Sequence, residues 1–125
     1  MNAILSQQFE HEVYLAQVSR GELAERIARR VRQGGSAEPL PGLHLIRRDA
    51  PTGPIPGVLN PAFCVIAQGR KEIFLGDSRY QYDPAHYLLV TVGLPITGQV
   101  VEASPEQPYL SLRLDLDLTL LGSMM

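Results

Sequence analysis

The sequence predicts a mainly β protein, a sandwich or barrel of short antiparallel strands preceded by one amphipathic helix. Three observations carry this reading: short apolar runs punctuated by Gly, Pro and Asp, one strictly alternating run, and one segment of helical period. From Pro61 to Tyr82 two apolar runs are marked off by Gln68-Gly69-Arg70 and Gly76-Asp77, the pattern of an antiparallel meander. No cluster of groups suited to bond-making chemistry lies on that stretch, so it reads as a scaffold that holds or senses something.

At 125 residues the chain is long enough for one domain with a real core and too short for two. An apolar content of 45% is ordinary for a globular protein. The formal charge of -2 gives no global attraction to phosphate or anionic membranes, which disfavours nucleic-acid binding by this piece alone. The single cysteine, Cys64, has no disulfide partner within the chain and sits in an apolar run, which favours a reducing cytoplasm. MNAILSQQFEHEVYL has no basic patch before an apolar stretch and is not read as a secretory signal. No run of apolar residues is long enough to span a membrane.

Residues 1–18 are mixed and read as a lead-in, either helical or disordered. From Ser19 the period becomes helical. Ser19 and Glu22 form an S-x-x-E capping box, and Leu23, Ile27 and Val31 recur at i, i+4 and i+8 beside Ala24 and Ala28. A helix over 19–33 is therefore expected, supported by Glu22 to Arg26 and Glu25 to Arg29 pairs and stopped by Gly34-Gly35. Its Leu23, Ile27, Val31 stripe must pack on the chain's own strands or meet a second copy. Packing on its own barrel, with a dimer contact nearby, is the preferred reading. Arg20, Arg26, Arg29, Arg30 and Arg32 read as a solvated face, since no second helix follows at helix-turn-helix spacing.

Six of the ten prolines fall between Glu38 and Pro61, which leaves Leu43 to Asp49 as the one strand there and PTGPIPG as a rigid surface loop. Beyond it, strands are expected at 63–68, 71–76, 79–82, 86–92, 98–103 and 109–118, joined by hairpins. Gly93 to Pro95 is one of the breaks. In the last strand Leu110, Leu112, Leu114, Leu116 and Leu118 share one face, expected buried, and Ser111, Arg113, Asp115 and Asp117 share the other, expected wet. The closing LTLLGSMM reads as the first turns of an apolar-faced helix, so the chain is expected to be the N-terminal part of something longer.

CVIAQGRKEIFLGD (Cys64 to Asp77), YDPAHYLLV (Tyr82 to Val90), LPITGQV (Leu94 to Val100) and EASPEQPYLSLRLDLD (Glu102 to Asp117) are consecutive, correctly ordered blocks. On them the chain, from Leu40 to about Asp117, resembles the N-terminal effector and dimerisation domain of AraC-type transcriptional regulators. It departs from the expected pattern at Leu59-Asn60 and Ala85-His86. The resemblance implies a cupin-like double-stranded β-helix (jelly roll) spanning 19–125 with the N-terminal helix. It further implies an unknown small-molecule effector in the barrel, a homodimer, and DNA contact only through a C-terminal helix-turn-helix domain absent from this chain. A cytoplasmic location with no membrane partner goes with it.

Cupin enzymes hold a metal on histidines two apart on a strand, a later glutamate and a third histidine, because alternate strand residues face the interior together. His11, His44 and His86 do not have that spacing, so neither metal nor cofactor is expected and the chain is not read as an enzyme. A metal-dependent cupin enzyme is the rival reading, and a structural dimerisation module without effector is the third. The effector pocket is assigned to Cys64, Ile66, Gln68, His86, Leu88 and Val90 in a largely apolar interior suited to an uncharged or weakly polar molecule. His86 shares a face with Leu88 and Val90 and is placed at the barrel mouth, as an effector ligand or a satisfied structural histidine. Gln68 either presents its amide to the cavity or bonds the adjacent turn. Cys64 has no basic neighbour in its own run, and Asp115 and Asp117 are read as solubilising. Gly76-Asp77 is read as a tight hairpin that needs a positive φ at the glycine.

Overall fold

The computed structural model describes residues 20–117, of which 20–30 are helical (α1). Nine strands follow: β1 (Gly35–Leu40), β2 (Leu43–Arg48), β3 (Ile55–Leu59), β4 (Ala62–Gln68), β5 (Arg70–Leu75), β6 (Ser78–Tyr82), β7 (Tyr87–Val90), β8 (Leu94–Glu102) and β9 (Tyr109–Asp115). They form two antiparallel sheets, ordered β1-β2-β9-β4-β7 and β3-β8-β5-β6. With β1 set aside, the four-on-four order is that of a jelly roll, in which most consecutive strands lie in opposite sheets. Ser19, the lead-in 1–18 with His11, and the LTLLGSMM segment lie outside the described residues.

The expected meander is corrected here. Only β1–β2 and β5–β6 are hairpins between consecutive strands. Gly76, at φ 59, begins the two-residue loop between Leu75 and Ser78, as expected for a tight turn. Gly69 has another role: between Gln68 and Arg70 it is the single residue over which the chain passes from one sheet to the other. Its φ is 89, and a Cβ there would lie 2.6 Å from the Glu102 carbonyl oxygen and 3.0 Å from Tyr109 Cα. Only glycine meets both demands.

The proline-rich segment also differs from expectation, since β1 and β3 are strands that the prolines argue against. Both are sheet edges, where a missing N–H costs no ladder bond. Pro39 falls where the β1–β2 register shifts, between Ala37 and Leu40. Pro95 belongs to β8 and does not break it, because β5 pairs with β8 only from Thr97 onward and Pro95 faces Val58 of the edge strand alone.

The helix lies on the outside of the five-stranded sheet. Ala24, Ile27 and Val31 are buried together with Leu45, Ala67 and Leu110, and Leu23, Ala28, Ala37 and Leu112 pack against them. The Leu23, Ile27, Val31 stripe is thus core packing on the chain's own sheet. Arg26, Arg29, Arg30 and Arg32 are exposed, and Glu25 pairs with Arg29 at 3.9 Å. A second cluster, Ala62, Cys64, Ile66, Ile73, Tyr82, Val100 and Tyr109, fills the space between the sheets.

Two cores on opposite sides of one sheet overturn the reading of β9. Its leucine side faces outward, buried under the helix at Leu110 and open by Leu114, which is 42% exposed. Its polar side, Ser111 and Arg113, faces the opposite sheet, and Ser111 is buried. The face expected to be wet is the inner one.

Candidate functional site

Between the sheets, beside edge strand β3, lies a cavity of about 270 Å³. Apolar wall comes from Ile46, Ile55, Val58, Ile96 and Val100, and cationic wall from Arg48, Lys71 and Arg113. No carboxylate is among its lining residues. Most of the wall is apolar, as the sequence reading expects, but it also carries three cations that the reading did not place there.

Strand register explains how three cations arrive there. Arg48 lies two residues beyond Ile46 on the inner face of β2, and Arg113 stands between His44 and Cys64 in one cross-strand row. Lys71 pairs across the ladder with Val100, two residues from buried Ile73. Gly98 makes room for it: a Cβ at that position would lie 3.2 Å from Lys71 Cε. Thr52 pins the preceding loop to β8 by accepting from the Val100 N–H and donating its own N–H to the Val100 carbonyl, both at 3.0 Å.

The three cations are held differently. Arg48 Nη1 donates to the carbonyls of Gly35 and Arg47 at 3.0 and 2.9 Å. Arg113 Nε donates to Asp115 Oδ1 at 3.2 Å, and His44 Nε2 lies 2.8 Å from Asp115 Oδ2. Lys71 makes no hydrogen bond or ion pair among the described residues. Burial, then the nearby Arg48 and Arg113 charges, hold its ammonium below the ordinary 10.5. Deeper in, burial pushes the Cys64 thiol up from 9.0 against the pull of Lys71 and Arg113. Tyr82, which hydrogen-bonds Cys64 and Tyr109, is pushed far up from 10.0 by burial, and Tyr109 is raised for the same reason. The basic neighbours of Cys64 come from other strands, where a reading confined to its own run could not find them.

None of the six residues assigned to the pocket from sequence lines this cavity. Cys64 and Ile66 are core residues behind its wall, while Val90 is buried opposite Ala62 and Leu88 packs opposite Cys64. Gln68 donates from Nε2 to the Pro108 carbonyl at 2.8 Å, so its amide serves a neighbouring loop. His86 precedes β7 on an exposed turn, with Nδ1 3.0 Å from Asp83 Oδ1, not at an interior mouth. Asp83 also accepts from the Ala85 N–H, and these two bonds, His86 first, hold its carboxyl below 3.8. Among the described residues no three His, Cys, Asp or Glu side chains converge as a metal site would require. One signal for the cationic wall was present in the sequence: an apolar helix needs an apolar sheet face to sit on, which commits the leucine side of β9 outward and turns Arg113 inward.

With β1 set aside, two four-stranded antiparallel layers in this order, with a small cavity between them, define a jelly roll of the cupin-like class. The family model described as the N-terminus of AraC-type transcriptional regulators matches residues 39–125, and the chain belongs to that family. Nothing among the curated proteins matches. Among solved structures the chain is similar to KdgF from Halomonas sp. at 15% identity, over 69% of this chain and 92% of that one, with a TM-score of 0.35. That likeness is too loose to bear on function. No helix among the described residues is long and apolar enough to cross a membrane.

Proposed function

We propose that this domain senses a small molecule in the cavity between its two sheets and passes the bound state to a DNA-binding partner domain, without catalysing a reaction. Family membership supports the regulatory role. The observation that carries the sensing is the cavity itself, walled by both sheets and by the edge strand β3. Its volume, at roughly 30 Å³ per water molecule, suits a compound of about nine non-hydrogen atoms. A ligand held by both sheets changes how firmly they close on each other, and differential affinity for two such arrangements is what a sensor requires. The site of action is the cytoplasm, where regulators of transcription meet DNA.

The domain also pairs with a second copy. The helix stripe is buried on its own sheet, so the contact falls elsewhere. The uncovered end of the same outer face presents Phe63 and Tyr87, whose rings lie 5.5 Å apart, with exposed Leu89 and Leu114 flanking Phe63 in its own cross-strand row. A flat apolar surface of that kind is what an isologous dimer contact uses.

The test of sensing is cavity filling. Gly98→Val, on the inner wall, is expected to abolish the rise in melting temperature that a bound compound gives the unmodified chain, while leaving the fold intact. A variant that still responds fully to the compound would place the binding elsewhere.

A further inference from the structure

We infer that the cavity is built for an organic carboxylate, with Lys71 as its principal counter-charge and Arg48 and Arg113 flanking it; this rests on the sensing role proposed above. Arg48, Lys71 and Arg113 come from three different strands of two sheets, yet all reach one cavity of about 270 Å³. Bringing like charges together out of bulk water is unfavourable unless something compensates. For Arg48 the compensation is visible in two carbonyls, and for Arg113 in Asp115. For Lys71 no hydrogen bond or ion pair does so among the described residues: burial opposes its charge, Arg48 and Arg113 add to that, and only the buried Cys64 sulfur works the other way.

The compensating group is therefore a ligand, and its charge is negative. The rest of the wall narrows its nature. Ile46, Val58, Ile96 and Val100 face the same space and cannot hydrogen-bond, so a bare inorganic anion would leave them against water or empty space. A carboxylate carrying a short aliphatic or aromatic body satisfies both parts of the wall. Its two oxygens can accept from the Lys71 ammonium and from guanidinium N–H groups left over on either side. The hydroxyl of Thr52, whose oxygen already accepts from Val100, remains able to donate. Gly98 is part of the device, because a larger residue there would displace the Lys71 chain from the wall.

The full chain and its Lys71→Met variant are titrated calorimetrically, at matched ionic strength, with benzoate and hexanoate, with their uncharged counterparts benzyl alcohol and hexan-1-ol, and with inorganic phosphate. The expected result is that a carboxylate binds the unmodified chain more tightly than its alcohol or phosphate, and that Lys71→Met weakens it by about tenfold or more. The variant removes a cation without a partner, so its unliganded melting temperature should equal or exceed that of the unmodified chain, which separates lost binding from lost folding. If the alcohols bind as tightly as the acids and Lys71→Met changes nothing, the charge assignment is overturned while small-molecule sensing survives. Phosphate binding as tightly as the carboxylates, or no binding by any acid to the folded chain, also overturns it.

Discussion

The two faces of the β2-β9-β4 portion of the larger sheet carry opposite kinds of residue for opposite purposes. Outside, Leu45, Leu110 and Ala67 close under Ile27, which is fully buried, and form an apolar core with α1. Inside, Arg48, Ser111 and Arg113 look across at the smaller sheet, and two of them border the cavity. In an ordinary half-exposed sheet the leucines would face the partner sheet and the arginines the water. Here the helix takes the leucines, which leaves the space between the sheets free to be polar in part. An alternating strand therefore shows that two faces exist without showing which one is the inside.

The contrast can be broken hardest on the outer face. Ile27→Asp places an unpaired carboxylate in the helix–sheet core and should cost on the order of 3–5 kcal/mol, read as loss of the cooperative unfolding transition. If that variant stays folded but loses self-association, the helix stripe is a subunit contact after all. Next comes the corner that carries β4 into β5 and so holds the faces apart: Gly69→Ala combines a strained positive φ with overlap of backbone atoms and should cost roughly 2–4 kcal/mol, measured by denaturant unfolding.

The inner face should answer to pH more than to truncation. Cys64, raised above 9.0 in the folded chain, supplies stability that is complete below 9.0 and is lost as pH rises through its folded value. Tyr82 and Tyr109 do the same from 10.0 upward. Lys71 acts in the other sense: below 10.5 the unfolded chain binds more protons at this position, so its contribution improves with rising pH. Melting temperature should therefore fall above pH 9, and Cys64→Ala should move the onset of that fall toward pH 10. An unchanged onset would mean the thiol is not the first group to titrate.

Smallest in stability is the open end of the outer face. Leu89→Asp should change folding stability by no more than about 0.5 kcal/mol, yet lower self-association in sedimentation experiments if the Phe63–Tyr87 surface meets a second copy. An unaltered dimer would move the contact elsewhere.

Much of this architecture was legible because strands announce themselves locally. The runs that open at Leu43, Phe63, Lys71, Arg79 and Tyr109 overlap the observed strands β2, β4, β5, β6 and β9, those at Leu43, Lys71 and Tyr109 extending past the strand ends. The helix period at Leu23, Ile27 and Val31 matched its buried face. Partners were not legible, because Gly69 as a hairpin and Gly69 as a crossing between sheets look alike in one dimension. The edge strands β1 and β3 were hidden by Pro39 and Pro56, whose cost vanishes only when the strand has one neighbour. For the same reason the pocket was sought around Cys64 and His86, whereas its cations come from β2, β5 and β9 and converge only through register. The sites remote from any ladder, such as the His86–Asp83 turn, depend on a local hydrogen bond that a shared-face argument cannot see.

The most direct test of an inner face that gathers cations around a bound acid is the titration of the Lys71 ammonium itself, followed by NMR in the full chain with and without benzoate. Titration below the ordinary 10.5 in the free chain, moving upward when benzoate is present, is the expected result. Titration at the ordinary value and indifferent to benzoate would put Lys71 in bulk solvent and contradict the assignment of the cavity.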